Sequence, residues 1–69
     1  MIKENKTYST EGSCLSATII KILYTGNDYY KVKLKLTNKD TGEVYCSCAR
    51  YKLFFDEVEN WSEYVMPRV

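Results

Sequence analysis

At 69 residues the chain is too short for two separately cored domains, and 45% hydrophobic residues make it too apolar for a disordered one. Seven Tyr, two Phe and one Trp must supply most of the core volume, and the net charge of only +1 argues neither for nor against a polyanionic partner. The absence of histidine removes the commonest general base and metal ligand, which excludes most catalytic templates.

Residues 1–13, MIKENKTYSTEGS, carry no periodicity and read as a flexible polar lead-in ending in a turn at Glu11-Gly12-Ser13. A single β-rich domain is then expected over residues 14–69. Its first strand is Leu15 to Tyr24, where Thr18, Ile19, Ile20 and Ile22 are β-branched and so favour extended backbone over helix. Thr25-Gly26-Asn27-Asp28 reverses the chain.

The second strand alternates strictly. Tyr30, Val32, Leu34 and Leu36 fall on one face, with Tyr29, Lys31, Lys33 and Lys35 on the other, so one side is buried and one is wet. Asn38-Lys39-Asp40-Thr41-Gly42 is a hairpin loop, with Gly42 placed for positive φ. A third strand starts at Glu43 and puts Val44, Cys46 and Cys48 on one face, with Tyr45, Ser47, Ala49 and Tyr51 on the other. The apolar side changes near Ala49, since Arg50 and Lys52 would otherwise enter the core, and this calls for a bulge or bend.

The C-terminal segment FFDEVENWSEYVMPRV supports two readings. Asp56 as N-cap with Glu59 three residues on resembles a capping box, and Val58, Trp61 and Val65 follow at helical spacing, which predicts a short helix ended before Pro67. The rival is a loop followed by a final strand from Trp61 to Met66.

The expected architecture is mainly β or α+β: a small three-stranded antiparallel meander with a short C-terminal helix. Residues 14–53, with a long first strand, a Lys-rich second, a Gly-ended turn and a third strand, resemble the front half of OB-fold or SH3-like domains. The resemblance lies in pattern alone and implies a partial barrel.

Catalysis and cofactors find no support in the sequence. Asp56, Glu57, Glu59 and Glu63 collect around the expected helix, where acids favour its N-terminal dipole, and the three isolated glycines make no phosphate loop. Cys14, Cys46 and Cys48 are an odd number and lack a fourth ligand or zinc-knuckle spacing, so small buried thiols are the plainer reading beside a disulfide or a metal. The odd count and the polar N-terminus point to a cytoplasmic setting without a membrane anchor. Two alanines beside abundant Lys, Tyr, Ile and Asn suit an AT-rich gene of a low-GC bacterium, phage or plasmid.

Charge is divided along the chain. Residues 14–52 hold seven cations and three acids, and residues from 53 onward hold four acids and Arg68. A non-catalytic binding module follows, and two partners are in view. Tyr29, Lys31, Lys33 and Lys35, joined by Tyr45 and Tyr51 of the next strand, would let single-stranded nucleic acid lay its phosphates on cations and its bases on rings. The plain alternative is a solvated lysine stripe of the kind one-sided sheets carry, and a pI near 7.6 is below the usual nucleic-acid footprint. The second candidate partner is a protein: a small regulator or inhibitor would use Phe54, Phe55, Trp61 and Tyr64, against the alternative that these rings complete the core. Association into a homo-oligomer through the same surface or a sheet edge is a third outcome.

Overall fold

A computed structural model describes residues 2–65. Five strands make one antiparallel sheet: β1 (Thr7–Ser9), β2 (Leu15–Thr25), β3 (Tyr29–Asn38), β4 (Val44–Phe54) and β5 (Ser62–Glu63), in the spatial order β4-β3-β2-β1-β5. A single helical turn, α1 (Phe55–Val58), follows β4 directly. The protein is mainly β, and the expected meander is its β2-β3-β4 part, extended by two short strands.

The two hairpin turns form where the turn residues predicted them. Gly26 N donates to Tyr29 O at 2.8 Å. The second loop is organised by Asn38, whose Oδ1 accepts from Asp40 N and Thr41 N at 2.8 and 3.0 Å, and Gly42 takes φ +78°.

Residues 1–13, read from sequence as a lead-in, instead contribute β1 and two core side chains. Ile2 and Tyr8 are buried, Thr7 pairs with Thr18, and Asn5 N and Ile19 N exchange bonds with Ile19 O and Lys6 O across to β2. A three-residue strand leaves no periodic trace, and one buried Tyr in a polar run was not distinguishable from an exposed one.

The core sits on the inner face, where Tyr8, Ala17, Ile19, Tyr30, Val32, Leu34 and Leu53 are buried and Ile22, Leu36, Phe55, Val58 and Trp61 pack against them. At about 25 cal/mol per Å² of apolar surface removed from water, these few side chains carry most of the stabilisation such a small sheet has.

The helix is shorter than predicted and begins earlier. Asp56 is not its cap: the turn starts after Phe54, whose N–H donates to the Glu57 carboxylate at 3.3 Å, while Phe55 N donates to Asp28 O at 2.9 Å. It stops at Val58 because Trp61 leaves helical spacing to stack on Tyr8, with ring centroids 6.4 Å apart, and the chain then pairs beside β1 as β5. Val65, expected on the helix's apolar face, is 79% exposed. The rival strand is present only as Ser62–Glu63, and its predicted end at Met66, like Pro67, lies outside the described residues. None of the described helices is long and apolar enough to cross a membrane.

Candidate nucleic-acid interface

The outer face of β2, β3 and β4 is built around the alternation of β3. With Tyr30, Val32 and Leu34 buried, Tyr29, Lys31, Lys33 and Lys35 must point the other way. Residues directly opposite one another share a face, so the register identifies their neighbours. Lys33 stands between Lys21 of β2 and Arg50 of β4, Lys31 between Tyr24 and Lys52, Lys35 beside Thr18, and Tyr29 beside Phe54.

Bulges deliver these neighbours. In β2 the extra residues are Ile20, between the Ile19–Leu34 and Lys21–Lys33 pairs, and Leu23, between the Ile22–Val32 and Tyr24–Lys31 pairs. A regular strand with Ile19 inward would turn Lys21 into the core, and the bulge reverses that parity. The change of side expected near Ala49 is likewise a bulge: two steps on β3, Leu34 to Leu36, face three on β4, Ala49 to Cys46. Ala49, Tyr51 and Leu53 are thereby turned inward and Arg50, Lys52 and Phe54 outward.

The charge that the strands contribute to this face has one sign, and the Glu4 carboxylate lies at β2, where it accepts from Ile22 N at 2.8 Å. The face carries Lys21, Lys31, Lys33, Lys35, Arg50 and Lys52, and the strands β2, β3 and β4 contain no Asp or Glu. Among the described residues the one ion pair, Lys6–Glu63 at 3.4 Å, lies at the opposite edge of the sheet.

At the turn end of the face, three rings form a cluster. Tyr29 lies between Tyr24, at 5.9 Å, and Phe54, at 6.3 Å, and the Lys52 ammonium rests 4.4 Å from the Tyr29 ring centroid and 5.2 Å from that of Phe54. Tyr24 is 54% and Phe54 38% exposed, so both keep ring surface open to solvent. Gly26 makes the arrangement possible: a Cβ there would approach Tyr29 Cε1 to 2.7 Å.

Four of the six residues predicted for this surface are therefore brought together: Tyr29, Lys31, Lys33 and Lys35. Tyr51 is not among them, because its partner across the ladder is the fully buried Val32, which puts it on the inner face. Its hydroxyl lies 4.0 Å from Cys46 Sγ, and this hydrogen-bonding neighbour, with the negative charge its thiol can take, holds the phenol above its ordinary pKa. Tyr45 is the extra residue of a second β4 bulge and accepts a 3.3 Å bond from Asn38 Nδ2, which ties it to the hairpin end.

Lys21 and Tyr24 were missed because strict alternation hides them, and Arg50 and Lys52, which the expected bulge near Ala49 keeps out of the core, were not assigned to this face. A signal for the β2 pair was present in TIIKILYT, where paired apolar residues separate Lys21 and Tyr24 at a period of three, as bulged strands do.

The rings proposed for protein binding are divided. Phe54 belongs to the outer cluster, whereas Phe55 packs 4.8 Å from Tyr30, Trp61 stacks on Tyr8, and Tyr64 is half-buried with Lys39 Nζ 5.4 Å from its ring. The three cysteines are free, and the expectation of buried thiols fails: Cys14, just ahead of β2, and Cys48, on the edge strand β4, are exposed and Cys46 is half-exposed. Among the described residues no group of His, Cys, Asp and Glu could hold a metal.

Comparison with known proteins finds no matching family model, curated protein or solved structure.

Proposed function

We propose that the chain is a non-catalytic binding module that takes single-stranded nucleic acid on the outer face of β2–β4. Tyr29, Lys31, Lys33 and Lys35 act there as the sequence suggested, with Lys21, Tyr24, Arg50, Lys52 and Phe54 as their partners. The observation that carries this reading is the face of six cations, on strands that hold no acid of their own, ending in an open ring cluster. Here like charges stand directly opposite across the ladder, an arrangement that costs about 0.2–1 kcal/mol per pair and is relieved by a bound polyanion. The free thiols favour a reducing, cytoplasmic setting.

The protein-binding alternative has less support, since its four rings do not share one surface. Fluorescence anisotropy of a labelled single-stranded oligonucleotide, titrated at low and physiological salt, tests the proposal. Binding that weakens steeply with salt supports it. No binding at low salt refutes it and directs attention to Trp61 and a protein partner.

A further inference from the structure

The register and the ring cluster together define how a bound strand would lie, which deepens the nucleic-acid reading above and rests on it. Cations are arranged in rows across the sheet as well as along β3. Lys21, Lys33 and Arg50 form one row over three adjacent strands, about 4.8 Å apart from strand to strand. Lys31 and Lys52, with Tyr24 on the β2 side, form the next, one alternation of about 6.6 Å closer to the turn end, and Tyr29 and Phe54 the one after that. Charge thus dominates one end of the face and ring surface the other, and the two meet in the row where Tyr24 stands beside Lys31 and Lys52. Lys35 stands outside these rows, paired with Thr18.

We infer that a single strand crosses β2, β3 and β4 transversely, with its phosphates on the Lys21–Lys33–Arg50 and Lys31–Lys52 rows and its bases turned toward the ring end, stacked on Tyr24 and Phe54. Tyr29 is a positioning residue between the two platforms. Its ring is flanked by both, touched on one face by the Lys52 ammonium, and seated against the bare Gly26 backbone. Lys52 is the joint of the site, since it sits within cation–π range of Tyr29 and Phe54 while belonging to a phosphate row. A duplex keeps its bases stacked inside the helix and cannot use the platforms, so the site selects single strands. Ring faces accept any base, so it tolerates changes of sequence.

The experiment uses the full chain, labelled oligothymidylates of increasing length and the corresponding duplex, with anisotropy read over a range of salt. Each row cation that meets a phosphate contributes about 0.7 to the slope of log affinity against log salt for a single strand. Lys21→Gln and Arg50→Gln should each lower the slope by about that amount and by more than Lys35→Gln, which stands outside the rows, and Lys6→Gln, at the opposite edge of the sheet, should leave it unchanged. A path along β3 would give the opposite pattern, losing slope in Lys35→Gln and not in Lys21→Gln or Arg50→Gln, and would overturn the transverse path.

Tyr24→Ala and Phe54→Ala should each weaken binding about tenfold at fixed salt with the slope intact. Both side chains are exposed, and thermal melts of the variants confirm that the fold is retained. Wild-type affinity in ring variants, or equal affinity for duplex, would overturn the stacking assignment while leaving a salt-dependent nucleic-acid binder standing. Absence of any salt-dependent binding by the wild type would instead remove the functional reading itself.

Discussion

Replacing Lys33 by Gln should make the free protein more stable and its complex weaker. Lys33 has a cation directly opposite on both sides, Lys21 and Arg50, and no carboxylate in any of the three strands to offset them. Each directly opposed like pair costs about 0.2–1 kcal/mol, so neutralising the middle member relieves about 0.4–2 kcal/mol. The half-buried stem of Lys33 is only partly preserved by Gln, which offsets some of the gain and leaves a net expectation of about 0.2–1.5 kcal/mol. In a domain of this size 1 kcal/mol moves Tm by about 4–8 °C, so thermal melts at low salt should show a rise of about 1–12 °C. The same melts in about 1 M salt should bring the two proteins together, because the Debye length there falls to about 3 Å and the repulsion is screened. Oligonucleotide titration of the same samples should show the affinity falling as the melting temperature rises. A variant that is no more stable than wild type at low salt, or whose advantage persists in high salt, would refute the claim that the cation rows are held against their own repulsion.

Gly26→Ala adds a methyl that Tyr29 must vacate, while its backbone, lacking positive φ, is free to accept Ala; oligonucleotide affinity should drop several-fold with an unchanged salt slope, and an unaltered affinity would show that Tyr29 has no positioning role. Val32→Ala, at a fully buried position in the central strand, should cost about 2–4 kcal/mol, enough to bring a domain this small near its unfolding midpoint by urea titration at 25 °C. Trp61→Ala removes a half-buried ring stacked on Tyr8 and should lower stability by about 2 kcal/mol in the same assay while leaving the outer face able to bind oligonucleotide. A native-state thiol titration should modify Cys14 and Cys48 rapidly and Cys46 more slowly without prior unfolding, and three thiols reactive only in denaturant would contradict their exposure.

The parts of this protein legible in its sequence are those with a strong local cause. Strict alternation in YYKVKLKLT gives the central strand and its two faces, and Gly26, Asn38 and Gly42 give the turns. What escaped depends on partners distant in the chain. β1 exists because Thr7 and Tyr8 meet Thr18 and Ala17, and β5 because Ser62 and Glu63 meet Ser9 and Tyr8. Trp61 obeys the helical period and yet leaves the helix, because it finds a partner distant in the chain, the Tyr8 ring on which it stacks. The candidate site was half legible for the same reason: β3 announces its own cations, whereas those of β2 and β4 join them only through bulges.

Those bulges also bear on whether the basic face is incidental. A strand needs no bulge to keep a lysine in water, because long ammonium side chains reach solvent from partly buried positions at small cost. Yet β2 carries two, which leave Ile20 and Leu23 unpaired, 38% and 41% exposed, and set Lys21 and Tyr24 beside Lys33 and Lys31. On the other side of β3 the bulge between Cys46 and Ala49 sets Arg50 and Lys52 beside the same two lysines. Each costs ladder hydrogen bonds, those in β2 also cost exposed apolar surface, and their combined outcome is a repulsive row of three cations. The bulges thus give up pairing on both sides of the central strand and place like charges opposite one another, a cost that a bound polyanion would offset.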